Sequence, residues 1–170
     1  WFNNNKIEKA AEPNNEFIEV TNPANLNESL GRLKPTSKDD MLQMLDNAEK
    51  SFDVWSNMPI EQRCKILTDS ADKLEAHMSE LIAICIKEAG KVAQDSIDEV
   101  REAVDFLRYY AAQAQKLVED ERLAPRGVVL CISPWNFPLA IFLGQVSAAI
   151  VVGNTVIAKP AEQTSLIAHR

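Results

Sequence analysis

The chain has no Cys-x-x-Cys pair, no Gly-x-Gly-x-x-Gly turn, no apolar run of membrane length and no surplus of basic residues. Each absence closes a class of function. The three cysteines, Cys64, Cys85 and Cys131, are far apart and odd in number. They read as reduced core thiols of a cytoplasmic protein, with no metal site among them. A formal net charge of −7 leaves no broad basic face for nucleic acid or an anionic membrane, though it does not exclude a local cationic pocket. The longest apolar stretch, residues 139–152, carries Gln145 and Ser147 and is too short to cross a bilayer. The opening "WFNNNKIEK" has neither an initiator Met nor the apolar segment of a secretory signal, and the closing "SLIAHR" reads as the middle of a helix. Both ends suggest a piece of something longer. Internal repeats and low-complexity tracts are also missing.

What remains is enough for a core: 170 residues, 46% of them apolar. Three stretches differ in character. Residues 1–35 are rich in Asn, Pro and Glu and predict a tail and a hairpin, with "EFIEV" and "ESLGRL" flanking the turn-former "TNPANLN". Residues 36–120 predict four helices. Ser37 caps the first, with Asp39 and Asp40 in its opening turn and a stripe of Met41, Leu45, Ala48, Phe52 and Trp55. Pro59 opens the second, striped by Ile60, Cys64, Leu67, Ala71 and Leu74; the third stops at Gly90. The fourth runs over residues 94–118 with Val100, Val104, Leu107, Ala111 and Ala114 on one side. Residues 121–170 then give a β-branched run, "GVVLCI", which predicts a strand buried on both faces. A helix that is apolar nearly all round and ends at Gly153 follows, then a second strand, "NTVIAK". Strand, helix, strand in this space is a βαβ unit with a parallel sheet.

Ligands of open α/β sheets collect at the carboxyl ends of the strands. Two polar clusters fall there, "SPWNFP" after the first strand and "KPAEQT" after the second. Lys159 and Glu162, on a loop stiffened by Pro160, offer a donor and an acceptor that can bracket the two hydroxyls of a ribose; their spacing alone reads more readily as solvated loop charges. Asn136, between Pro134 and Pro138, can stand preorganised where an oxygen gains negative charge, or can be a turn asparagine bonding its own backbone. Trp135 and Phe137 are core residues or ligand platforms. With no glycine-rich turn here, a pyrophosphate cannot be drawn to the helix N-terminus in the usual way.

"PWNFP" followed by "GNTVIAKPAEQT" resembles the aldehyde dehydrogenase superfamily, and "VTNPANLNESLGRL", "MPIEQRCKIL" and "KEAGK" precede them in that family's order. The stretches "EVREAVDFLRYYAAQAQ" and "RGVVLCISPWNFPLAIFLGQVSAA" resemble the 1-pyrroline-5-carboxylate (glutamate-semialdehyde) dehydrogenase half of bifunctional bacterial proline-utilisation proteins. The resemblance implies an α/β fold: the N-terminal part of the aldehyde dehydrogenase fold, a helical segment followed by an incomplete Rossmann-like parallel sheet. It implies NAD as cofactor, with FAD confined to a separate proline dehydrogenase domain of a bifunctional parent. Asn136 would donate to the oxyanion. Lys159 and Glu162 would hold the adenosine ribose, and the Glu162 carboxylate would repel a 2′-phosphate, which favours NAD over NADP. Ile132, Ser133, Pro134 and Trp135 would line the cofactor channel, and Phe137 would face the aldehyde. Eight residues after Asn136, where many relatives carry an aromatic, stands Gly144, which implies a roomier, more polar substrate pocket.

The resemblance also implies what is missing. The family's nucleophilic cysteine and general-base glutamate lie in motifs beyond residue 170, and none of the three cysteines here sits in the nucleophile's context. The expectation is therefore a cytoplasmic, homo-oligomeric parent that oxidises glutamate semialdehyde to glutamate, of which this chain alone is inactive. Two rivals stand beside it: the same fold serving another aldehyde, and a non-catalytic oligomerisation or scaffold segment.

Overall fold

The structure, a computed structural model, describes residues 17–117 and 124–170. The tail expected over residues 1–16 and the end of the fourth helix at Val118 lie outside the described residues.

The hairpin forms as expected. Strands β1 (Ile18–Asn22) and β2 (Asn25–Leu33) pair antiparallel, and the Asn22 side chain accepts the Ala24 N–H at 2.9 Å to close the turn. Helix α1 (Lys38–Ser56) starts with a reciprocal cap: the Asp40 N–H donates to Ser37 Oγ at 3.1 Å, and the Ser37 N–H to Asp40 Oδ2 at 3.2 Å. Helix α2 (Ile60–Ala76) follows Pro59, whose missing N–H costs nothing at a helix start. Helix α3 (Met78–Ala89) ends where Gly90 turns left-handed at φ 66°, and α4 (Ala93–Leu117) carries the longest stripe.

That stripe organises the core. Val104, Leu107, Ala111 and Ala114 of α4 pack with Cys64, Leu67 and Ala71 of α2 and with Val151 of the next helix. Its first turns, Val100 and Ala103, pack with Leu81 and Cys85 of α3 and with Leu139, Ala140 and Ile167. Small residues on α4 let its neighbours approach closely, so burial rather than propensity holds these helices.

Strand β3 (Val128–Ile132), helix α5 (Ala140–Val151) and strand β4 (Thr155–Lys159) form the βαβ unit, with β3 and β4 parallel and in register from Val128↔Thr155 to Ile132↔Lys159. A 3-10 turn (Glu162–Thr164) and a short helix α6 (Ser165–His169) follow. Asn154 fixes the start of the unit. Its Oδ1 accepts the Arg126 and Gly127 N–H groups, and its Nδ2 donates to the Ala149 carbonyl.

Two side chains weld α1 and α2 to α5. The Trp55 indole donates to the Ile150 carbonyl at 2.8 Å, and buried Arg63 donates to the Val151 carbonyl at 2.9 Å and to the carbonyls of Trp55, Ser56 and Met58. The guanidinium thus gathers carbonyls at the C-terminal ends of α1 and α5.

Two expectations need correction. Strand β3 is not buried on both faces: Cys131 is 6% exposed, but Leu130 and Ile132 on the other face are each 60% exposed, with nothing covering them among the described residues. The stripe of α1 is likewise buried only at its end. Met41 and Leu45 are exposed, and Trp55 is buried by its bond to α5.

Candidate functional site at the carboxyl ends of β3 and β4

The register that ends at Ile132↔Lys159 is extended by one further bond, from the Ser133 N–H to the Lys159 carbonyl at 3.2 Å. The chain therefore leaves both strands at the same level. Residues 133–138 and 159–164 start side by side, as the polar clusters at paired strand ends require.

Ser133 is buried, and its hydroxyl also reaches the Lys159 carbonyl at 3.5 Å. Ile132 and Trp135 are exposed, Pro134 is half-buried and Pro138 is fully buried, so the loop is anchored at one end and open in the middle. Asn136 is exposed, and its carboxamide makes no hydrogen bond to the described residues; its backbone carbonyl accepts from Lys91 Nζ at 3.0 Å. The Asn136 side chain is therefore not the self-bonded turn asparagine. Lys159 and Glu162 are exposed, and neither forms an ion pair among the described residues. A donor and an acceptor three residues apart are thus both available to a diol.

Phe137 lies beneath a cation: the Lys91 ammonium is 4.5 Å from its ring centroid. Gly144 lies on α5. It is buried, and a Cβ there would come within 3.0 Å of the Phe106 ring. The space left by the absent side chain is thus filled by an aromatic from α4, and a roomier cleft does not follow from this glycine.

Two residues of the site escaped the sequence reading. Lys91 bonds the Asn136 carbonyl and pairs with Glu99, whose other oxygen accepts the Leu139 and Ala140 N–H groups at 2.9 and 3.2 Å. The signal for Glu99 was an acid on the buried side of α4, beside Ser96, Val100 and Ala103. Glu88 on α3 carries the same signal. It is buried and accepts the Leu166 and Ile167 N–H groups at 2.7 and 2.9 Å, and burial raises its carboxyl to about 6, against the pull of those two amides.

The thiols are not nucleophiles. All three cysteines are buried, and burial pushes each thiol up, Cys85 to about 12. Among the described residues no cluster of His, Cys, Asp and Glu could hold a metal ion, and no helix is long and apolar enough to cross a membrane.

Known proteins resemble the chain along nearly its full length. The bifunctional protein PutA of Salmonella typhimurium is 48% identical over 153 residues, 90% of this chain and 12% of that protein. The 1-pyrroline-5-carboxylate dehydrogenase of Anoxybacillus flavithermus is 38% identical over 161 residues, 88% of this chain and 31% of that protein. A crystal structure of 1-pyrroline-5-carboxylate dehydrogenase from Thermus with bound NAD superposes with a TM-score of 0.87 at 32% identity, covering 92% of this chain and 33% of that one. The chain thus spans a third or less of the length of these relatives. Residues 10–170 match the sequence profile of the aldehyde dehydrogenase family. Since that match takes in both strand ends and the helices that anchor them, the chain belongs to the aldehyde dehydrogenase family.

Proposed function

We propose that these residues form the cofactor-binding strand ends and the oxyanion donor of an NAD-dependent 1-pyrroline-5-carboxylate (glutamate-semialdehyde) dehydrogenase. The observation that carries this reading is the parallel pairing of β3 and β4 through Ile132↔Lys159, which starts the Asn136 loop and the Lys159–Glu162 loop side by side. The names of the relatives supply the substrate: PutA and 1-pyrroline-5-carboxylate dehydrogenases match at 48% and 38% identity.

The residues present fit a dinucleotide. The exposed Lys159 ammonium and Glu162 carboxylate, both without ion-pair partners among the described residues, would hold the adenosine ribose, donating to one hydroxyl and accepting from the other. Glu162 disfavours a 2′-phosphate at the same place. The exposed apolar faces of Ile132 and Trp135, with Ser133 and Pro134, would line the channel. NAD, when bound, supplies the hydride acceptor. Asn136 donates its amide N–H to the aldehyde oxygen as a nucleophile adds and negative charge collects there. Phe137 borders the aldehyde. The nucleophilic thiolate and the general base come from outside these residues, because Cys64, Cys85 and Cys131 are buried with raised thiols. The 170-residue chain is accordingly inactive by itself, and the enzyme containing it works as a cytoplasmic homo-oligomer.

The test is kinetic. In the full-length enzyme, assayed with glutamate semialdehyde and NAD, Asn136→Ala lowers kcat by about 10²–10³-fold, the loss typical of one oxyanion donor. An undiminished kcat removes Asn136 from that role. A panel including succinate semialdehyde and aliphatic aldehydes separates the proposed substrate from its rivals.

A further inference from the structure

Asn136 is exposed, and its side chain is unbonded among the described residues, so its direction is set by its backbone. Among the described residues, that backbone is held by Lys91. Lys91 Nζ donates to the Asn136 carbonyl at 3.0 Å and lies 4.5 Å from the centroid of Phe137, the next residue. The same ammonium pairs with Glu99, which has a fully buried side chain; that of Lys91 is 11% exposed. The other Glu99 oxygen takes the N–H groups of Leu139 and Ala140, at the start of α5, where no side chain of the helix itself provides a cap. A buried carboxylate keeps its charge at least cost when it is both paired and hydrogen-bonded. Here both requirements are met by groups that border the Asn136 loop. One ion pair thus grips the loop at residue 136 and again at residues 139 and 140, with fully buried Pro138 between the grips.

We infer that Lys91 and Glu99 are positioning residues for Asn136, setting the aim of its carboxamide and thereby the rate of the chemical step without contributing to cofactor affinity. The inference rests on the reading of Asn136 as the oxyanion donor. A merely structural role, capping α5, would weaken folding but would not act through Asn136.

The test uses the full-length enzyme. Lys91→Met keeps an apolar stem of similar length and removes both the bond to the Asn136 carbonyl and the charge over Phe137. Because it strands Glu99, the neutral double variant Lys91→Met/Glu99→Gln is measured beside it; the carboxamide oxygen of the substituted side chain can still accept the amides of α5. Both lower kcat by about 10–100-fold, the scale of a misplacement near 1 Å, while the dissociation constant of NAD, measured by calorimetry, changes by less than about 2-fold. Added to Asn136→Ala, the double variant costs no further rate, because it acts through a donor already gone. If Asn136→Ala is slow but the Lys91 variants keep wild-type kcat, or if the losses multiply, the positioning role is wrong and the functional reading stands. If Asn136→Ala itself keeps its rate, the functional reading fails and this inference falls with it.

Discussion

Two of the seams between the helical layer and the chain from β3 onward are each closed by a buried glutamate. At the α4–α5 seam, Glu99 takes the first amides of the helix that follows β3; at the α3–α6 seam, Glu88 takes those of the helix that follows β4. The chemistry is shared, since a carboxylate at a helix start satisfies N–H groups that have no partner inside the helix. The difference is the counter-charge. Glu99 has Lys91, and through it a second hold on the loop bearing Asn136. Among the described residues no cation pairs with Glu88, and burial raises its carboxyl to about 6. The loop proposed to do chemistry is therefore fixed by an ion pair, and the strand end proposed to bind ribose is backed by an anchor whose charge depends on pH.

Removing Glu99 should expose the difference between the seams most severely. Glu99→Ala strands a nearly buried ammonium and two amides, and urea denaturation should show a loss of about 3–5 kcal/mol, the usual cost of breaking a buried pair from one side. Titrating Glu88 gives the next effect. Between pH 4.5, its ordinary value, and about 6 the folded chain holds a proton that the unfolded chain has released. Stability conferred by this group is complete below pH 4.5 and is lost as the pH rises through about 6, a total of about 2 kcal/mol. Denaturation curves at pH 4.5 and 7 measure the slope, and Glu88→Gln should abolish it. Cys85, one turn earlier on α3, stays neutral throughout, with its thiol at about 12. The smallest effect asks whether packing also secures α5. Gly144→Ala gains about 1 kcal/mol of helix propensity but pushes a Cβ to 3.0 Å from Phe106, so the net change is a loss of at most about 2 kcal/mol. The thermal midpoint of Gly144→Ala should recover when Phe106→Leu is added; if it does not, the ring is not the obstacle.

Much of the fold was legible because its signals are local. Ser37 ahead of two aspartates, Pro59 and Gly90 each act within one turn, and the stripe of α4 marks the face that became the core. That the two loops start side by side was also legible, because a βαβ unit leaves few alternatives for where its strand ends lie. Burial of β3 was misread, since a continuous apolar run says that cover is needed without saying what provides it; Leu130 and Ile132 remain exposed. The two anchoring glutamates were invisible for another reason. An acid on an apolar stripe reads as an imperfection until the amides it serves, 40 and 78 residues further along, are seen beside it. The close approach of Phe106 to Gly144 was invisible in the same way, because Phe106 belongs to a different helix.

The bonds from Trp55 and Arg63 to the end of α5 set an order on biosynthesis. Their acceptors lie 95 and 88 residues downstream. At a translation rate of about 5–20 residues per second, the first two helices wait roughly 5–20 s at the ribosome for the carbonyls that complete them. Throughout that delay the Trp55 indole lacks its acceptor and Arg63 has only the nearby carbonyls of Trp55, Ser56 and Met58, so α1 and α2 gain their last tie to the fold when Val151 emerges.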